Sequence, residues 1–170
     1  SFTGCSPISL SDLSKPFSLG FESPIDRVPP APAGAPNLVA FTEATTQITL
    51  EDWQHVICCR LDQMGEQTGQ RVLIHGPPQY GKSLIISQRW PAHILGQRPL
   101  RRVRLGCYNL TQAERFSKVN LSIMQSQEYK AMFPSADCRV PERVGAEEWS
   151  TVARVKLLDA NPSFKALGLG

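Results

Sequence analysis

Four residues in the stretch HGPPQYGKSLIIS, residues 75–87, have types and spacing suited to chemistry on a phosphate. Gly76, Gly81, Lys82 and Ser83 complete the pattern G-x-x-x-x-G-K-[ST]. Glycines let a backbone curl so that successive N–H groups face an anion. A helix that begins directly after such a loop adds unpaired donors and the positive end of its dipole. A lysine placed like Lys82 reaches the β- and γ-phosphates, and a hydroxyl placed like that of Ser83 ligates Mg²⁺. Pro77 and Pro78 have no N–H, so the donors must come from Gln79, Tyr80, Gly81, Lys82 and Ser83 while the prolines stiffen the approach. The expected ligand is ATP with Mg²⁺. Its binding residues are Gly76, Pro77, Pro78, Gln79, Tyr80, Gly81, Lys82 and Ser83, with Lys82 as the catalytic candidate and Ser83 as the metal ligand. The plainer reading is a glycine turn between a strand and a helix, with an incidental Lys-Ser.

Binding a phosphate is not hydrolysing it. Hydrolysis also needs a carboxylate at the end of another strand and a residue that orients water. Asp159, after VKLL, is the one candidate, and Lys156 inside that run and the turn ANP just after it argue against that role. The second carboxylate is therefore expected to be missing.

The loop needs a strand before it and a helix behind it. RVLIH, residues 71–75, is a short apolar, β-prone run and reads as a buried parallel strand. Leu84, Ile85, Ile86 and Trp90 continue the loop as a helix, with Pro91 expected to bend or end it and Gly96 as a stop. Upstream, NLVAFTEAT has helical spacing. LEDWQHVICCRLDQM places Trp53, Val56, Ile57 and Leu61 on one helical face, with Thr49 and Asp52 as a capping box and Gly65 near its end. Downstream, RRVRLGCYN reads as a second strand. LTQAERFSKVNLSIMQSQEYKAMFP follows as a long helix, capped by Asn109 or Thr111, with Leu110, Ala113, Phe116, Val119 or Asn120, Ile123 and Met124 along one stripe. WSTVARVKLL and SFKALGLG read as two strands of a hairpin, turned by DANP. Strand, loop, helix, strand, helix is the order of a doubly wound α/β domain.

The chain has 170 residues, enough for one core. Residues 1–36 are rich in Pro, Ser and Gly and read as a flexible arm, and residues 37–170 as the folded domain. A net charge of +3 permits contact with phosphate without arguing for it. Cys5, Cys58, Cys59, Cys107 and Cys138 form no C-x-x-C pair, which suggests neither zinc nor a disulfide framework and points to a reducing compartment. No apolar run approaches the roughly 18 residues of a membrane span. A chain that opens at Ser1 reads as a fragment or a processed product.

PPQYGKS, then QRWPAHILG, then RVRLGCYNLTQAERFSKVNLSIMQSQEYKAMFP together resemble the ATPase domain of the large terminase subunit of tailed bacteriophages. The resemblance extends from Leu38 to the C-terminus. EDWQHVICCRLDQM is similar to that family's Trp/His-containing helix before the loop, and NPSFKALGLG to its hairpin before a second acidic motif. It implies an α/β P-loop NTPase fold of the RecA/ASCE type, here a partial domain over residues 37–170. It also implies an ATP-driven motor that moves double-stranded DNA into a capsid without reading its sequence. The implied partners are the capsid portal, the small terminase subunit and neighbouring copies in a ring, in the cytoplasm of a bacterial host and away from membranes. Two departures stand out. Gln79 lies where the family often carries Arg, and the sequence reaches Gly170 without the acidic strand, coupling motif or nuclease domain. A different P-loop ATPase, helicase-like or a nucleotide kinase, and an inactive prophage remnant remain as alternatives.

Other residues have two readings each. Arg98, Arg101, Arg102 and Arg104 are either contacts to DNA phosphate or a solvated approach to a strand. The resemblance offers Trp53 and His55 as walls of an adenine pocket, against a packing role for Trp53 and a surface position for His55. Trp90 and Tyr108 read as packing residues, and Cys58 and Cys59 as buried small apolar ones.

Overall fold

A computed structural model of the chain describes residues 34–66, 69–141 and 144–169. The arm assigned to residues 1–36 therefore lies outside the described residues up to residue 33. Its last residues are anchored. Asn37 caps helix α1 (Leu38–Thr46) by accepting from the Ala40 N–H. The Pro36 carbonyl accepts from His93 Nε2 (2.8 Å) and Gln97 Nε2 (3.3 Å). The Leu38 N–H donates to Asp62 Oδ2 on helix α2 (Asp52–Glu66). Helix α2 is capped by Glu51 and Gln54, not by Thr49 and Asp52. The Glu51 carbonyl accepts from the N–H groups of Gln54 and His55, and the Gln54 side chain accepts from the Glu51 N–H (2.9 Å). Its inner face carries Cys58 and Leu61, whereas Val56 is exposed.

Residues 71–75 do not form a strand. They run outside the sheet, and Leu73 is 83% exposed. An apolar β-prone run fixes which side chains would be covered, but a strand exists only with a partner to bond. No described strand lies against this one.

After the loop the chain is helical to Gln97, through a π-helical segment (Leu84–Arg89) and then helix α3 (Trp90–Gln97). Pro91 neither ends nor breaks it, and Gly96 is not its stop. The winding is wide where the proline approaches, with the Trp90 N–H bonded to the Ile85 carbonyl. In α-register the Ser87 carbonyl would accept from residue 91, which has no N–H to give. Asn120 fills that position from the neighbouring helix, its Nδ2 donating to Ser87 O at 2.8 Å. Gly96 serves packing, since a Cβ there would lie 2.6 Å from Phe133 Cε2.

Strand β1 (Val103–Cys107) leads into helix α4 (Leu110–Gln125), capped by Asn109, and then into the short α5 (Gln127–Met132), capped by Ser126. The expected single long helix is thus two, because Ser126 adopts an extended conformation and starts a new cap. Helix α4 buries Ala113, Ser117, Asn120, Leu121, Ile123 and Met124, while Leu110 remains exposed. Strand β2 (Glu148–Trp149), helix α6 (Val152–Lys156) and strand β3 (Phe164–Gly168) follow. Strands β2 and β3 pair antiparallel as the hairpin reading requires, but VARVK between them is helical. Bonds outside the ladder accompany the turn out of the sheet there: the Thr151 N–H donates to Ser163 Oγ, its hydroxyl to the Pro99 carbonyl, and the Val152 N–H to the Arg139 carbonyl.

The sheet order is β1-β3-β2, parallel between β1 and β3, so it is mixed rather than purely parallel. Its inner face, carrying Val103, Leu105, Phe164 and Ala166, contributes to the core, and α4 packs against β3 and β1. Trp149 stacks on Phe164 with ring centroids 5.0 Å apart and donates to Ser117 Oγ. A second cluster joins α1, α3 and α5 through Phe41, His93, Tyr129 and Phe133. Burial holds the His93 imidazole below its ordinary pKa, against the raising pull of the Pro36 carbonyl and Asp62. Among the described residues no helix is long and apolar enough to cross a membrane.

If Asn120 supplies the donor that Pro91 withholds, Asn120→Leu leaves the partly buried Ser87 carbonyl unpaired. The expected loss is about 1–3 kcal/mol in urea unfolding, the cost of a buried acceptor without a partner. An unchanged midpoint would show that Ser87 has no need of α4.

Candidate functional site

Residues 76–83 form an exposed loop that runs directly into the helical stretch ending at Gln97. Its curl comes from two left-handed residues, Gln79 (φ 67°) and Gly81 (φ 75°). A glycine adopts that conformation without strain, whereas a glutamine does so at a cost. Gly76 is not in the left-handed region. A Cβ on it would meet only the flexible Lys82 side chain, at 3.4 Å from Cδ. The two glycines of the motif thus have different duties: Gly81 makes the turn and Gly76 makes room for Lys82.

The N–H groups of Gln79, Tyr80, Gly81, Lys82 and Ser83 donate to no turn or loop carbonyl among the described residues. The first N–H after them to do so belongs to Leu84, which bonds the Gly81 carbonyl at 3.0 Å. Lys82 reaches back across the loop. Its Nζ donates to the Gly76 carbonyl at 2.9 Å and also to that of Pro77. These contacts hold the one loop cation over the mouth of the curl. Ser83 is exposed, and its hydroxyl caps nothing.

Helix α2 supports the loop from one side. Trp53 is half-buried and meets Tyr80 edge-on, with centroids 6.0 Å apart. Gln54 lies beneath Gly81, its Nε2 being 3.1 Å from where a Cβ on Gly81 would sit. Gln54 was not among the residues singled out from the sequence. The signal for it was indirect, in the register of α2 that brings Trp53 to the same end of the helix. His55, half-exposed, instead faces Glu43 Oε1 at 3.8 Å.

The residues fit a polyphosphate: open N–H groups, a cation and a hydroxyl converge on one short loop. For Mg²⁺ the loop itself offers only the Ser83 hydroxyl. Asp159 is committed elsewhere. It pairs with Arg154 and Arg102, and its carboxylate accepts from the Asn161 N–H and side chain, which with the arginines lowers its pKa to about 2. Among the described residues no group of three His, Cys, Asp or Glu is placed to hold a metal ion.

Most of the four arginines read as possible DNA contacts serve the fold. Arg98 donates to the Gly65 carbonyl (2.7 Å), Arg102 to Asp159 (3.3 Å) and Arg104 to the Pro162 carbonyl (3.4 Å). Arg101 is half-buried in a cleft beside β1, with Met64, Trp90 and Ile94. Trp90 is a packing residue, as expected, but Tyr108 is 87% exposed. Cys58 is buried and Cys59 exposed. Burial, with the Asp62 carboxylate nearby, raises the Cys58 thiol to about 11, so it is inert at neutral pH.

No protein-family model, curated protein or solved structure matches the chain.

The two glycines give a direct contrast. Gly81→Ala should lose about 1–2 kcal/mol, the cost of forcing a Cβ into the left-handed region. Gly76→Ala should remain within about 0.5 kcal/mol of the native chain, as surface substitutions commonly do. Urea unfolding of the two variants side by side checks this, and equal losses would contradict the division of roles.

Proposed function

We propose that residues 76–83 bind the phosphates of ATP, and that the chain is the ATP-binding portion of a motor that drives double-stranded DNA into a phage capsid. One observation carries the nucleotide reading. Five successive N–H groups without loop partners lie at a left-handed curl, with Lys82 held over it by contacts that an anion can replace. A phosphate oxygen is a stronger acceptor for an ammonium than a backbone carbonyl, because both partners are charged. An arriving β- or γ-phosphate therefore draws Lys82 Nζ away from the Gly76 and Pro77 carbonyls. Ser83 is left to ligate Mg²⁺ alongside the nucleotide.

The DNA-packaging part rests on the terminase resemblance of residues 38–170 and not on the geometry. Of Arg98, Arg101, Arg102 and Arg104, only Arg102 pairs with a carboxylate. Arg98 and Arg104 bond carbonyls and keep their charge, but Arg98 and Arg101 are half-buried, so few cations beside β1 are presented to duplex DNA. Any grip on DNA by these residues should be weak, sequence-independent and salt-sensitive. The engagement of Asp159 by Arg154 and Arg102 favours binding over turnover in this chain.

Calorimetric titration with ATP and Mg²⁺ tests the reading. Lys82→Ala removes a charge-assisted contact worth roughly 1.5–3 kcal/mol, so affinity should fall about tenfold to a hundredfold. Turnover in the same samples should stay far below roughly 1 per second. Equal affinity in both chains sinks the nucleotide assignment. Tight, salt-insensitive binding to one duplex sequence in a parallel titration sinks the packaging assignment.

A further inference from the structure

Arg89 closes the π-helical segment and is only 9% exposed. Neither its Nε nor its Nη1 has a hydrogen-bond partner among the described residues. No described carboxylate forms an ion pair with it. A buried guanidinium without an anion is costly, because its hydration is lost and nothing replaces it. Native structures rarely leave such a group unmatched. The same desolvation lowers the Arg89 pKa from its ordinary value, although a guanidinium stays protonated.

Arg89 lines a cavity of about 330 Å³, walled by the C-terminal end of α1, by α4, and by Ser126 and Glu128 at the start of α5. None of the residues 76–83 lines it. Its polar groups are mixed, with free donors on Arg89, Ser122 and Ser126 and an acceptor on Glu128. Thr45 and Thr46 already donate their hydroxyls to backbone carbonyls within α1. Ser126 Oγ accepts from the Tyr129 N–H, which leaves its own O–H to donate. Ser122 is exposed on α4 and adds another hydroxyl. Glu128 is exposed at the rim and is the one acid in the wall.

We propose that this cavity is a binding site for a small oxyanion of the phosphate class, held by Arg89 with the hydroxyls of Ser122 and Ser126, and separate from the loop at residues 76–83. Arg89 Nε and Nη1 lie on two different edges of the guanidinium, and either one forms with Nη2 a fork that suits two oxygens of one anion. Glu128 limits the affinity by repulsion, which leaves the site responsive to concentration rather than permanently filled. An anion here would join α1, the π-helical segment, α4 and α5, so its first effect would be on stability.

The test is thermal unfolding of the full chain carrying Lys82→Ala, which weakens phosphate capture at the loop, with inorganic phosphate replacing chloride at constant ionic strength. The melting temperature should rise with phosphate concentration, as for any ligand that binds only the folded state. Adding Arg89→Met should abolish the rise. Adding Glu128→Gln should lower the phosphate concentration needed by about twofold to fivefold, the effect of relieving one exposed charge contact. Should Arg89→Met fail to fold, Ser122→Glu decides. It supplies a carboxylate within the chain, and should raise the melting temperature without phosphate and remove the response to it. No rise in the Lys82→Ala chain, an equal rise with Arg89→Met, or an unaltered response in Ser122→Glu overturns the site. Failure here leaves the loop assignment standing, because the loop lysine is absent throughout.

Discussion

The helical stretch that leaves the loop must pass through Pro91, and the structure depends on how that is resolved. A proline in mid-helix removes a donor and crowds the preceding turn, commonly kinking or ending the helix. Here the winding widens to π-helical geometry over Leu84–Arg89, and Asn120 of α4 supplies a donor to the Ser87 carbonyl. One side-chain amide thereby ties the helix carrying the loop to the helix that covers the sheet. The loop is exposed on every side except where Trp53 and Gln54 approach it. Its direction relative to the sheet is set largely by this junction and by the cluster of Phe41, His93, Tyr129 and Phe133 that anchors α3. The wide winding also accompanies the burial of Arg89, the residue at its end, beside a cavity whose one acid, Glu128, forms no ion pair with it.

Much of this was legible in the residues. Helical spacing located α1, α2 and α4, and Asn109 was readable as a cap because its short side chain can accept from a first-turn N–H. The β1 strand was readable as a β-prone run, and the antiparallel pairing of the segments around Trp149 and Phe164 was expected, although their connection runs through helix α6 rather than through a DANP hairpin turn. What was not legible involves partners rather than propensities. Residues 71–75 have the pattern of a strand and lack a neighbour. VARVK has the β-branched character of a strand, but the Thr151 N–H bonds Ser163 Oγ and its hydroxyl the distant Pro99 carbonyl, and the chain continues as helix α6. Pro91 reads locally as a stop, and the donor that offsets it is on Asn120, 33 residues beyond the Ser87 carbonyl that it serves.

The loop was legible as a motif, but the strand expected before it is absent and the separate duties of its residues were not visible in the pattern. Both glycines look equivalent in sequence, but only Gly81 needs the left-handed region. Gln54 beneath Gly81 and Arg89 behind the helix carry no motif. Each acquires meaning only from what the fold places beside it.

The central claim is that the N–H groups of residues 79–83 form an anion cradle closed by Lys82. Amide chemical shifts of the ¹⁵N-labelled chain, recorded with and without ADP and Mg²⁺, test it most directly. The account predicts large downfield shifts at Gln79, Tyr80, Gly81, Lys82 and Ser83, from N–H groups acquiring a charged acceptor, with small changes elsewhere in the core. Unmoved amides in the loop at saturating nucleotide, or shifts confined to another face of the protein, would contradict it.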